Sequence, residues 1–74
     1  AKPDPEVFLL AAEKLGMRPE ECIVIEDAQA GIEAANKANM ISIGIGDANV
    51  LHEADFMLNN TSELTIDFVQ ELIA

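Results

Sequence analysis

The 74-residue sequence predicts an α/β fold built on a parallel sheet, and three observations carry that prediction. Segments with helical spacing alternate with short apolar runs, in the order helix–strand–helix–strand–strand–helix. The run Cys22-Ile23-Val24-Ile25 shows no polar alternation, so it reads as a strand buried on both faces, the kind found in parallel sheets. That run ends in two adjacent carboxylates, Glu26 and Asp27, at the carboxyl end of the strand, where open α/β sheets gather ligands. The alternation also implies right-handed crossovers. The chain contains no repeat, no low-complexity tract and no internal linker, so it reads as one piece.

Each element has a local cause. Lys2-Pro3-Asp4-Pro5 is a stiff, extended lead-in, because each proline fixes its own φ and biases the residue before it. Asp4 can cap a helix whose first residue is Pro5, with Glu6 favouring the positive helix end. Phe8, Ala11, Ala12 and Leu15 continue at helical spacing and Gly16 stops it, giving a helix over about residues 5–15. Met17 to Glu21 connects, with a turn at Pro19-Glu20, and the first strand covers about 22–26. A second helix over about 28–38 presents Ala28, Gly31, Ile32, Ala35 and Ala38 as a small-residue face suited to close packing on a sheet, with Glu33 and Lys37 paired outside.

Ile41-Ser42-Ile43-Gly44-Ile45 is the second strand, turned out by Gly46-Asp47, and a short helical turn follows at about 48–53. Phe56-Met57-Leu58 is the third strand, closed by Asn59-Asn60. Leu64, Phe68, Val69, Leu72 and Ile73 then argue an amphipathic helix.

Composition narrows the function. A chain this short buries only about 60% of its unfolded surface and is marginal alone. One cysteine permits no internal disulfide, and Cys22 reads as a small buried apolar side chain in a reducing, cytoplasmic compartment. Fourteen acids against four bases leave a net charge of −10, which excludes nucleic acid and anionic membrane as partners. A phosphorylated ligand would be repelled too, unless a metal and a placed lysine reverse the sign locally. No apolar run approaches the ~20 residues of a membrane span. The start, Ala1-Lys2-Pro3, has neither signal-peptide composition nor an initiator Met, and the chain reads as cut from something longer.

Glu26 and Asp27 are the first candidates for chemistry. Negative charge against a dry sheet is costly unless a cation occupies it. One or two carboxylates completed by water and phosphate suit Mg²⁺. The plainer alternative is that Asp27 caps the second helix while Glu26 is solvated at the strand rim. Lys2, held on a Pro-x-Pro segment with little entropy to lose, could neutralise a phosphoryl group near that cluster; in isolation it is a solvated charge. Gly44-Ile45-Gly46 lacks the third glycine of a dinucleotide fingerprint and reads as a strand-end turn. His52 has no partner at a useful spacing, and Thr61 and Ser62 read as helix-entry residues.

Lys2-Pro3-Asp4-Pro5-Glu6, followed at this distance by Ile25-Glu26-Asp27-Ala28-Gln29-Ala30-Gly31-Ile32, resembles the haloacid dehalogenase-like phosphotransferases. Within that superfamily the sequence is most similar to the β-phosphoglucomutase branch, on the approach Thr61-Ser62-Glu63-Leu64-Thr65 above all. The resemblance implies a Rossmann-like three-layer α/β/α core, of which residues 1–74 are the incomplete C-terminal part. It implies an aspartate nucleophile on a strand beside residues 22–26, a helical cap, Mg²⁺ as cofactor and a phosphorylated sugar as substrate. Lys2 matches the family's phosphate-binding catalytic lysine, and Glu26 and Asp27 match its metal-side doublet, with Asp27 the direct ligand and Glu26 reaching the metal through water.

The departures are equally informative. No Asp-x-Asp, no phosphate-binding Ser/Thr motif and no cap lies within these residues, and Ala28 stands where mutases often carry a serine. The isolated chain is therefore expected to be inactive and to work with the remaining N-terminal segment of the same protein, as a separate chain or cleavage product. Three readings follow from the residues and the resemblance together. One is part of a β-phosphoglucomutase, moving phosphate between C1 and C6 of glucose through an aspartyl phosphate and a glucose bisphosphate. The second is a sugar-phosphate phosphatase of the same superfamily. The third is a non-enzymatic acidic α/β module that binds a metal or a protein.

Overall fold

The structure, a computed structural model, describes residues 4–73. The Lys2 assignment therefore lies outside the described residues. The elements are α1 (Glu6–Leu15), β1 (Ile23–Glu26), α2 (Gln29–Lys37), β2 (Ile41–Ile45), β3 (Phe56–Leu58) and α3 (Ile66–Ile73), with 3-10 turns at Pro19–Glu21 and Thr61–Glu63. The strands form one parallel sheet in the order β1-β2-β3, with Glu26 opposite Gly44 and Ile43 opposite Phe56.

Asp4 accepts the Glu6 N–H at 2.9 Å, satisfying one of the orphan donors at the start of α1, which begins one residue later than expected. Gly16 closes α1 with φ 71, a left-handed conformation that costs glycine nothing, and Met17 N–H returns to Ala12 O at 3.0 Å. Ala12 is buried with Ala38 and Met40, and Phe8, Cys22 and Val24 pack around them. Thus α1 sits at the amino end of β1, and Cys22 packs against this cluster but is only partly buried, less enclosed than expected.

Side-chain alternation assigns the two faces of the sheet. Glu26 lies against Gly31, and Ser42 bonds Asn36, so Val24, Glu26, Ser42 and Gly44 face α2. On the other face the Phe68 ring of α3 meets Phe56 edge-on, with centroids 6.4 Å apart at 88°. The result is the expected helix–sheet–helix layering.

Strand β1 departs from expectation. Ile25 is 47% exposed, and Ile23, Val24 and Glu26 are only partly buried, so the strand is not covered on both faces. The reason is its place: among the described residues β1 pairs with β2 alone and forms an edge, and α3 reaches the third strand rather than the first. Its apolar sequence fits a central strand; its surroundings here are those of a margin.

The β2–β3 connection is pinned rather than helical. Val50 and Leu51 N–H groups both reach Asp47 O, at 3.0 and 2.9 Å, which makes one turn without extending it into a helix. Gly46 turns the chain at φ 132, a value side chains avoid. Leu51 is buried, and Ser42, fully buried, joins the loop to the sheet: its N–H donates to Asp55 Oδ2 at 2.9 Å and its hydroxyl to Asn36 Oδ1 at 2.9 Å. Asn36 Nδ2 in turn donates to Glu53 O at 2.8 Å.

Candidate active site

Loops that follow parallel strands emerge at the same rim of a sheet. Here that rim holds a cavity of about 250 Å³ lined by Ile25, Glu26, Asp27, Ile45 and Thr61. At ~30 Å³ per water the volume is that of several waters, enough for a hydrated cation with an oxyanion beside it. The carboxylate doublet therefore stands where its place in the sequence predicted, at the carboxyl end of β1.

Glu26 is half-buried and held from behind. A Cβ at Gly31 would overlap Cγ, Cδ and Oε2 of Glu26, so the missing side chain of Gly31 is the space in which the glutamate lies. The small residue thus serves the approach of helix to strand, as its sequence context implied, and the group it admits is a carboxylate that lines the cavity.

Asp27 is exposed, and it is not spent on capping. The N-cap of α2 is Ala28, in an extended conformation (φ −117, ψ 141), and no side chain caps the helix. That removes the capping half of the plainer reading and leaves Asp27 an exposed carboxylate beside the cavity. The ion pairs among the described residues, Arg18 with Glu20 at 3.4 Å and with Glu21 at 3.5 Å, precede β1 and involve neither Glu26 nor Asp27.

The donor set suits a particular kind of cation. Among the described residues no group of three or more His, Cys, Asp or Glu side chains could cage a metal. A site offering two carboxylates fits an ion that takes one or two of them and completes its shell with water and phosphate, as Mg²⁺ does. Transition metals that prefer nitrogen and sulfur ligands find none in this cavity.

Thr61 opens the 3-10 turn Thr61–Glu63, in keeping with its reading as a helix-entry residue, and it also lines the cavity, which its local sequence does not indicate. The signal was present: β3 is parallel to β1, so the loop after it must arrive at the same rim. His52 is exposed and is not among the lining residues, and Gly46 supplies the turn expected at the end of β2. Gly44 has a packing role, since a Cβ there would lie 2.8 Å from Met57 Sδ and 3.2 Å from the Cβ atoms of Ala54 and Leu51.

The family model described as haloacid dehalogenase-like hydrolase matches residues 1–39, more than half of the chain and the part that carries the doublet. The chain belongs to the haloacid dehalogenase-like hydrolases. Among relatives in this family, β-phosphoglucomutase of Bacillus subtilis is 43% identical over 70 residues, covering 95% of this chain and 31% of its own. Hexitol phosphatase A of Escherichia coli is 37% identical over 68 residues, 88% of this chain and 32% of its own. The crystal structure of β-phosphoglucomutase from Clostridium difficile superposes with a TM-score of 0.92 at 45% identity, covering 96% of this chain and 32% of that one. The haloacid dehalogenase-like chain thus spans about a third of the length of the relatives it matches. No helix among its described residues is long and apolar enough to cross a membrane.

Proposed function

We propose that this chain is the C-terminal core segment of a Mg²⁺-dependent phosphotransferase of the β-phosphoglucomutase type, converting β-glucose 1-phosphate to glucose 6-phosphate. The observation that carries the proposal is the pair Glu26 and Asp27 on the rim cavity, without an ion-pair partner among the described residues and not spent on capping α2, within a chain that matches β-phosphoglucomutases across nearly its whole length. Asp27 would hold the cation directly and Glu26 through water, and the cation would offset charge on the phosphoryl group. Glu26 is kept in place by the cleft at Gly31, so its orientation costs little entropy when the site fills. Lys2 is assigned to the phosphoryl oxygens, as a fixed positive charge that strengthens when the phosphate is transferring.

The nucleophile and the cap belong, in this reading, to the rest of the protein, with the nucleophile strand laid along the free edge of β1. A phosphatase acting on sugar phosphates is the second reading, favoured by the similarity to hexitol phosphatase A. The two share Lys2, Glu26 and Asp27 and differ in where the phosphate goes. Incubation of the complete protein with β-glucose 1-phosphate and Mg²⁺ separates them: glucose 6-phosphate as product supports the mutase, and release of inorganic phosphate alone replaces it with the phosphatase.

A further inference from the structure

We draw no further inference here: the strongest candidate, the apolar cavity of about 240 Å³ between α1 and β1 lined by Phe8, Leu15, Cys22, Ile23 and Met40 among others, carries nothing because nothing in the structure shows what covers it.

Discussion

Glu26 illustrates how one carboxylate is prepared by a residue that has no side chain. Its methylene, carboxyl carbon and one oxygen fill the space where a Cβ of Gly31 would stand, so the acid is braced by the helix behind it while its neighbour Asp27 stays open to water. Gly31 has no left-handed backbone that demands glycine, so alanine there would suit the helix and strain only the contact with Glu26. Gly31→Ala is therefore expected to leave the fold intact and to push Glu26 out of position. Isothermal titration of the complete protein with Mg²⁺ should show affinity reduced by several-fold to about 10-fold, the scale of a disturbed outer-shell contact. Unchanged affinity together with unchanged thermal stability would show that Glu26 has another resting place. The place of Asp27 at the end of a strand could be anticipated from the sequence, and so could the need for a small residue at position 31. What stands over Gly31 could not, because residues five apart are joined here through the turn between strand and helix.

At the scale of elements, the short stretches that enter and leave the sheet are held by side chains rather than by helix propensity. Arg18 N–H donates to Glu21 Oε1 at 2.9 Å, closing the 3-10 turn that delivers the chain to β1. That backbone hydrogen bond, followed by the bond to the Arg18 side chain, holds the Glu21 carboxyl below its ordinary range. A depressed carboxylate stabilises the fold above its unfolded pKa and releases that stability as pH falls through the folded value. Thermal melts taken at successively lower pH should thus show Glu21→Gln losing less of its midpoint than the parent below the ordinary glutamate range; parallel curves would exclude a contribution from this turn. Both side chains are exposed, so the difference is expected to be small.

Order and type of the elements were legible in the alternation of apolar runs and helical spacing, and the boundaries moved by a residue or two. The β2–β3 connection was not legible, because it depends on Ser42, Asn36 and Asp55 meeting across 6 and 13 residues of sequence. Such bonds carry no local signal. The helix-entry role of Thr61 was legible from Asn60 and Ser62 beside it, whereas its place at the rim depends on the parallel placement of β3.

The molecule as a whole leaves much apolar surface uncovered. Leu15 is 73% exposed and Ile66 76%, and Ile25 lies half open on a strand whose outer edge has no partner among the described residues. Unpaired strand edges with apolar side chains are templates for association. The 74-residue chain produced alone is expected to sediment as species heavier than its 8.0 kDa mass, increasingly so as salt screens the net charge of −10. Ile25→Lys, placing a charge on the open edge, should shift the distribution back toward monomer. A parent chain that stays monomeric at high salt would show that the edge is not adhesive. The apolar character of β1 was plain in its sequence, and the resemblance placed a further strand beside it; among the described residues that side of β1 has no sheet neighbour.

The contact between Glu26 and Gly31 also has a consequence for how this sequence can change. Positions 26 and 31 compete for one volume, so a side chain gained at 31 must be matched by one shortened or lost at 26. The two behave as a single inherited character rather than as two independent ones. A substitution at 31 that is harmful while glutamate is present would become neutral after the glutamate has gone, and the reverse order of events would be closed.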